Sequence, residues 1–557
     1  MNSRNAADIA KAVGIATGHF QSGRVAEAEA LCRNVLAEAP QNPDALHLLG
    51  VIADTVGNHT AAIELIRQAI GFKANEPFYH GNLGQALQNA GRVDEAMAEY
   101  ERALKINPGM VAVLMNMGNI VMAQGKLDAA EAWYKRAVAA DPKQSLAHYN
   151  LGGLYQAQKK AAPAIAAFTQ ALKLNPNMAE ARVNLGSVFK DENRFEEAEA
   201  QYRQAIALDP KQSKAYNNLG LLFRETGQFE AALEYFFETL KIKPDDQEAR
   251  ANIGTTLITG GAFVEGWPLY EGRWEGLTPK SLRPATKLPQ WTGERQAQNS
   301  SASDRLLLFG EQGLGDKIQF ARYITLALEK FPAGVSVITD RSLQSLFRRS
   351  FPGVEILEDV PVDQSKWQWH CPLMSLPLAF GTTLETIPAQ MPYLVPDAEK
   401  IAYWKNKIAA LNVSARKIGV VWKPGKLMTS ASLKALSFEQ LKPLLEQPGI
   451  AWFSLQKDPD PESEPGLLID WSQEFKDFDD TAALMMNMDL IISVDTSTAH
   501  LAGALNKPVW MLNRHASDWR WLWQREDSPW YPSMRIFNQK TARDWDEVVK
   551  RVVAALS

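Results

Sequence analysis

Glycine recurs at positions 50, 84, 118, 152, 186, 220 and 254, every step being 34 residues, and a period of that length constrains the fold before anything else is considered. A bulky apolar residue precedes each one: Leu49, Leu83, Met117, Leu151, Leu185, Leu219 and Ile253. The same step carries Ala62, Ala96, Ala130, Ala164, Ala198 and Ala232, then Pro108, Pro142, Pro176, Pro210 and Pro244. Small residues let two antiparallel helices approach closely, and proline, lacking an N–H, ends the second helix at little cost. Gly91, Gly125 and Gly227 fall where the turn between helices needs a permissive backbone; Asn193 holds the equivalent place and Lys159 is the exception. One such unit cannot bury its apolar face alone, so stacked neighbours build the core.

The unit with this punctuation resembles the tetratricopeptide repeat, a helix–turn–helix. Repeats are expected at 9–42, 43–76, 77–110, 111–144, 145–178, 179–212 and 213–246, with a last degenerate unit at 247–276. Asn82, Asn116, Asn150, Asn184, Asn218 and Asn252 also stand 34 apart, in the first helix of six successive units. Asparagine is a mediocre helix former, so propensity does not explain the series. A carboxamide offers a donor and an acceptor, which suits a peptide backbone whatever its side chains. Stacked units would align the six along a concave wall as an acceptor-peptide ladder; the alternative is that the amides only bond to neighbouring helices. The ladder resembles that of O-linked N-acetylglucosamine transferase, whose asparagines hold the acceptor polypeptide.

Composition bounds the rest. Over 557 residues, 59 Lys and Arg against 64 Asp and Glu leave a net charge of −5, which argues against general nucleic-acid binding through a basic face. No apolar run approaches the roughly 18 residues of a membrane span, and MNSRNAADIAKAV lacks the pattern of a secretory signal. Cys32 and Cys371 are too few for a disulfide framework. A soluble protein of the reducing cytoplasm is the expectation.

Fifteen of the sixteen tryptophans lie from Trp267 onward, which marks a second architecture. Residues 277–304, with Pro279, Pro284, Pro289, Ser300, Ser301 and Ser303, read as a connector, although LPQW at 288–291 is placed to pack on the next domain. RLLLFG (305–310), VSVITD (335–340), VEIL (354–357), KIGVVW (417–422), AWFSLQ (451–456), DLIISV (489–494) and PVWMLN from 508 read as strands. Helices near 317–330 and 397–411 fall between them. Alternating strands and helices imply parallel sheets covered on both faces. The expected division is 1–276 repeats, 277–304 connector, 305–400 one Rossmann-like lobe and 401–557 a second, facing a cleft where such sheets bind ligands.

Two loops have room for chemistry. In GEQGLGD (310–316), Gly313 and Gly315 let the backbone approach a ligand, and Asp316 is either a general base or a helix cap. In DLIISVDTSTAHLAGAL (489–505), the strand ends at Asp495, and Thr496, Ser497 and Thr498 open a small-residue helix. Free backbone N–H groups, three hydroxyls and His500 make a diphosphate cradle; a plain helix cap with a core histidine is the alternative.

With these motifs, 305–557 is similar to a GT-B glycosyltransferase domain of the heptosyltransferase type. The carriers are GEQGLGDKIQFARY, HCPLMSLP, FSLQ, DTSTAHLAGAL followed by PVW, and DWRWL followed by EDSPWYP. Preceded by tetratricopeptide repeats, the combination resembles bacterial protein O-glycosyltransferases, including those that modify flagellin. The resemblance implies that Asp316 is the acceptor base and that Asp495, Thr496 and His500 form the donor-phosphate loop, Ser497 standing where the family has glycine. Lys423, Lys426 and Lys434 are each candidates to neutralise the leaving phosphate, and Gln456 to contact the nucleotide. His370, with a pKa suited to proton removal, is the rival base; a packed core residue is its alternative. Trp519, Trp521, Trp523 and Trp530 are stacking or core residues. DPD at 458–460 is similar to a metal motif of another transferase class, but its prolines favour a surface loop, and neither metal nor cofactor is expected.

The expected function is transfer of a sugar, hexosyl or nonulosonyl, from a nucleotide-sugar co-substrate to Ser or Thr of a protein acceptor, flagellin foremost, with inversion. The alternatives are a non-catalytic tetratricopeptide adaptor with a degenerate transferase lobe, and a transferase acting on a glycan or lipid-saccharide.

Overall fold

The computed structural model describes residues 6–276, 283–293, 303–412, 415–425, 434–457 and 466–556. Pro279, Ser300, Ser301, Lys426 and the DPD segment lie outside these residues. The chain divides into two compact units, Met1–Ala215 and Tyr216–Ser557.

The first unit is a run of helix pairs: Ala6–Gln21 with Val25–Glu38, Pro43–Thr55 with His59–Phe72, Pro77–Asn89 with Val93–Ile106, Val111–Ala123 with Leu127–Ala140, Ser145–Ala157 with Ala161–Leu174, and Ala179–Asp191 with Phe195–Leu208. This is the expected tetratricopeptide solenoid. Prolines 43 and 77 occupy first helical turns, where a missing N–H costs nothing, and the Asn42 side chain caps the helix it precedes through Ala45 N. Leu83, Leu87, Tyr100, Leu104, Leu114 and Met117, from three successive helices, share one core.

The periodic glycines have a specific partner. A Cβ on Gly84 would stand 2.5 Å from Tyr100, on Gly118 2.4 Å from Tyr134, on Gly152 2.7 Å from Phe168 and on Gly186 2.6 Å from Tyr202. Each of these four glycines is therefore a notch filled by an aromatic ring of the paired helix, whereas Gly50 faces Ile66 and Gly254 faces the backbone of its paired helix. The turn position is uniform as well: Gly23, Gly57, Gly91, Gly125, Lys159 and Asn193 all adopt positive φ. Lys159 departs from its neighbours in residue type alone; its backbone, at φ 58°, takes the same left-handed conformation.

The second unit begins within the helix Ser213–Glu225 and continues through Phe229–Ile242, Gln247–Thr259, Phe263–Tyr270 and Arg273–Gly276. Phe263, Trp267 and Tyr270 lie in the same apolar cluster as Phe320, Trp519 and Trp530 of the sheet domain, with Trp267 and Trp519 rings 5.7 Å apart. Gly227 in its turn leaves space for Trp523, whose ring would be 2.4 Å from a Cβ there. Aromatic burial on this scale binds the last repeats to the domain after them.

Two all-parallel sheets complete the unit. The first contains β1 (Leu306–Phe309), β2 (Val335–Ile338), β3 (Glu355–Leu357) and β4 (Trp369–Pro372) in the order β3-β2-β1-β4. The second contains β5 (Arg416–Val421), β6 (Ile450–Ser454), β7 (Leu490–Val494), β8 (Val509–Asn513) and β9 (Met534–Asn538) in the order β6-β5-β7-β8-β9. β4 and β9 were not among the expected strands. WHCP ends in proline and MRIFN mixes charged with apolar residues, so neither has the apolar run that marks the others. The expected helix 317–330 is broken into Leu314–Phe320 and Ile324–Lys330 by a tight turn at Ala321–Tyr323. LPQW does pack on the first lobe: Trp291 N donates to His370 O (2.7 Å), and the indole lies against Phe331 and Phe380.

Candidate active site at the sheet switch points

In the first sheet the chain steps outward from β1 to β3 and then returns to the other side of β1 for β4. In the second it steps from β5 to β6 and returns beyond β5 for β7. Such reversals leave a crevice at the carboxyl ends of the strands. After β1 come Gly313 and, in the first turn of the helix that follows, Gly315 and Asp316; after β7 come Asp495 and Thr496 and, in the first turn of the next helix, Ser497 to His500. These helices, Leu314–Phe320 and Ser497–Ala504, pack against each other.

Asp316 has two partners. One carboxylate oxygen accepts Gly313 N at 2.9 Å, which caps its own helix, and the other accepts from Arg520. Asp495 pairs with Lys434. Thr496, at the N-cap, makes no side-chain cap bond; its hydroxyl lies 3.2 Å from Ser493 Oγ. Gln312 and Gly313 are exposed, and Asp316, Thr496 and Ser497 half-buried, whereas Asp495, Thr498, His500, Lys434 and Arg520 are buried beneath them.

His500 is more enclosed than a phosphate ligand in an open first turn. Its ring stacks on Trp521 with centroids 4.9 Å apart, Nδ1 lies 3.0 Å from Tyr531 OH, and Gly315 closes over its edge. Burial holds its pKa down to about 3, so the imidazole is neutral.

The site packs three carboxylates with two cations. Burial raises the Asp316 carboxyl above its ordinary range, and Arg520 only partly offsets that. Burial pushes Asp518 upward too, but Arg520 and Lys434 outweigh it and hold the group charged. Asp495 is likewise held low, Lys434 outweighing its burial. Arg520 donates to Asp518 Oδ1 at 2.7 Å as well as to Asp316. Neither Asp518 nor Arg520 was singled out from the sequence, although DWRW was weighed for its tryptophans. The signal was an arginine flanked by aromatic residues, a setting in which burial is unusual unless the charge is paired.

Of the other expected residues, Gln456 clasps the backbone of Lys423, donating to its carbonyl at 2.9 Å and accepting its N–H at 3.3 Å, so both stand at the carboxyl ends of β5 and β6. His370 lies within β4, in register with Leu307 of β1, its ring edge-on to Phe309 at 5.7 Å. That sheet face carries the small apolar cluster of Leu307, Phe309, Ile338 and Trp367. His370 Nδ1 has no hydrogen-bond partner among the described residues, and burial lowers its pKa. The structure does not bring it to Asp316. Trp519 and Trp530 are core, Trp521 covers His500, and Trp523 meets Phe229 edge-on. No three His, Cys, Asp or Glu among the described residues are grouped to hold a metal ion.

The asparagine ladder is partly engaged. In the first unit Asn82 Nδ2 lies 2.8 Å from His47 Nε2, Asn116 Nδ2 donates to Gln85 (2.8 Å) and Tyr100 (3.1 Å), and Asn184 Nδ2 donates to Tyr149 (3.1 Å). Asn150, and in the second unit Asn218, are half-buried. Asn252 is buried, donating to Asn217 Oδ1 at 3.1 Å and accepting from Arg224 at 3.3 Å. Both ends of its carboxamide are occupied, so it is a packing residue and not an open rung.

One cluster was not foreseen. Arg273, fully buried at the end of the last repeat, donates to both carboxylate oxygens of Glu311 and to Ser375 Oγ (2.8 Å). Glu311 in turn accepts Met374 N at 3.2 Å, so the repeat end is tied to the loops after β1 and β4.

Residues 476–546 match the family model of glycosyltransferase family 9 (heptosyltransferase), and that segment holds Asp495, His500, Asp518 and Arg520. Residues 19–86 match the tetratricopeptide repeat model, and 76–263 match that of the cilia and flagella-associated protein 70 C-terminal domain. The chain therefore combines tetratricopeptide repeats with a segment similar to glycosyltransferase family 9. Among curated proteins the chain is similar to Protein FlbA of Caulobacter vibrioides, 30% identical over 328 residues, covering 54% of this chain and 54% of that protein. It thus spans about half the length of this relative. Among solved structures it is similar to YrrB, described as a TPR protein with an unusual peptide-binding site (24% identity, 34% of this chain, 96% of that one, TM-score 0.30), and to MamA (28%, 29%, 95%, TM-score 0.28). No helix among the described residues is long and apolar enough to cross a membrane.

Proposed function

We propose that the protein transfers a sugar from a nucleotide-sugar donor to a Ser or Thr hydroxyl of a polypeptide gripped by the repeats, flagellin being the first acceptor to try. The observation that carries this reading is the meeting of Asp316, Asp495, Lys434 and Arg520 where the loops after β1 and β7 converge. A hydroxyl is a poor nucleophile until its proton is withdrawn, and a carboxylate with a raised pKa suits that task near neutrality. Asp316 takes the proton, the hydroxyl oxygen forms its bond to the anomeric carbon, and the bond to the phosphate oxygen breaks with its electron pair remaining on the phosphate. Attack opposite the leaving group inverts the anomeric centre. Lys434, the start of the Ser497–Ala504 helix and the Thr496 and Ser497 hydroxyls stabilise the departing charge without a metal. Lys423 and Gln456, at the ends of β5 and β6, suit contact with the nucleoside.

Asn82, Asn116, Asn150, Asn184 and Asn218 hold the acceptor backbone in this reading. Each amide that donates to a neighbouring helix retains a carbonyl oxygen with acceptor capacity. The direct test incubates the protein with candidate acceptors and a panel of nucleotide sugars and reads intact mass. A mass increase of one glycosyl residue on the polypeptide, lost in Asp316→Ala, is expected. Changing Asn150, Asn184 and Asn218 together to Ala should weaken acceptor binding about tenfold or more with the fold intact. Label appearing only on a glycan or lipid-saccharide would remove the protein acceptor.

One observation favours a second reading. Both Asp316 and Lys434 are engaged in ion pairs, the resting state expected of an adaptor whose transferase lobe only binds. Nucleotide-sugar binding with no turnover across acceptors would establish it.

A further inference from the structure

Arg520 is buried, 7% exposed, yet its bonds in this structure are all to carboxylates: one terminal nitrogen to Asp518, the other to Asp316. Its Nε is also buried and has no hydrogen-bond partner among the described residues. The guanidinium lies 4.2 Å over the Trp519 ring, which supports its plane and leaves its edge as the bonding surface. Two residues on, Leu522 holds φ 58° and ψ −179°, a conformation almost reserved for glycine. An unmet buried donor and a strained backbone in one short turn mean that the neighbours hold Arg520 in this place against local cost. Those neighbours come from both sides, since the Gln247–Thr259 helix of the last repeats packs on the Trp519–Trp521 turn.

We propose that Arg520 is an anion-operated latch on Asp316: a diphosphate entering beside Thr496 and Ser497 draws the guanidinium fork onto its own oxygens and releases the Asp316 carboxylate. The inference rests on the nucleotide-sugar reading for the identity of the anion. Arginine matches phosphate oxygens with paired N–H groups, and a diphosphate carries more charge than the single carboxylate it displaces. Asp316 does not drift when released, because the bond from Gly313 N still fixes its other oxygen. The freed oxygen is then the one available to an acceptor hydroxyl. A sugar nucleotide therefore binds before the base is active, and the order of addition is donor first.

Isothermal calorimetry on the full chain tests this with UDP, GDP, CDP, ADP and inorganic pyrophosphate against wild type, Asp316→Asn and Arg520→Lys. Asparagine can still accept the Gly313 N–H but no longer competes as an anion for Arg520. The diphosphate that wild type binds should bind Asp316→Asn about tenfold tighter and Arg520→Lys about tenfold weaker. Circular dichroism checks the fold, and if Arg520→Lys is unfolded the Asp316→Asn comparison decides alone. Equal or weaker binding by Asp316→Asn overturns the latch, and in a wild type that transfers sugar it does so without touching the transferase reading. Tighter binding of pyrophosphate with no nucleotide bound by any variant keeps the latch and removes the nucleotide-sugar donor. No binding of any probe to any variant overturns both.

Discussion

A Cβ placed on Gly315 would stand 2.8 Å from His500 Cδ2. The first turns of two helices that follow strands of different sheets thus touch through a glycine and a histidine, and a side chain at 315 would have to displace the imidazole. Gly315 is where the first lobe closes on the second, and His500 is the surface it closes on.

His500 gives a pH-dependent stability. Its folded pKa is about 3 against an ordinary 6.5, because burial disfavours the charged ring. A depressed folded pKa contributes stability that is complete above 6.5 and is lost as the pH falls towards 3. The loss over that window is on the order of a few kcal/mol. Urea unfolding between pH 7 and 4 should show a smaller decline in His500→Gln than in wild type; parallel declines would assign the acid sensitivity to other groups.

Asp316 behaves in the opposite sense. Burial raises its folded pKa, so the native state holds that proton more tightly and its stability term is lost as the pH rises through the raised value. Transfer needs the carboxylate, so the rate should fall on the acid side through an ionisation above the ordinary aspartate value of 3.8. Asp316→Asn should lower kcat by about 10²–10⁴ and abolish that limb of the pH–rate profile.

The glycine notches predict a graded cost. Gly118→Ala puts a methyl group 2.4 Å from Tyr134 Cε1, and the ring, wholly buried, has little space to yield. Destabilisation of about 1–3 kcal/mol is expected from such overpacking. Chemical denaturation of Gly118→Ala, Tyr134→Leu and the double variant measures it, and the double variant should cost less than the two single changes summed.

Lys159 predicts the reverse sign. It is exposed and held at φ 58°, where a side chain is disfavoured by roughly 1 kcal/mol. Lys159→Gly should therefore raise stability slightly, by up to about 0.5 kcal/mol, net of the extra freedom that glycine gives the unfolded chain. Thermal unfolding reads this directly, and a lowered midpoint would mean that the lysine side chain contributes more than its backbone costs.

Much of the fold was legible because its determinants repeat locally. The glycine step fixed the helix pairs, but the complementary aromatic step at Tyr100, Tyr134, Phe168, Tyr202, Phe236 and Tyr270 went unread, although it has the same 34-residue spacing. The strands with continuous apolar runs were found and β4 and β9 were missed, since a strand at or near a sheet edge needs less apolar sequence. At the site, the loop after β1 and the loop after β7 were identified as places for chemistry. The pairing of Asp316 with Arg520 and of Lys434 with Asp495 was not, and nor was the enclosure of His500.

The sequence by itself determined the solenoid, its turns and the alternation of strands and helices, because each depends on contacts between residues close along the chain or one repeat apart. Tertiary structure alone decided which charges meet. Asp316, Lys434, Asp495 and Arg520 lie far apart in sequence and are gathered by parallel crossovers and by the aromatic seam of Trp267 and Trp519. Coulombic pairing falls off over a few ångströms in space, and no periodicity along the chain encodes it.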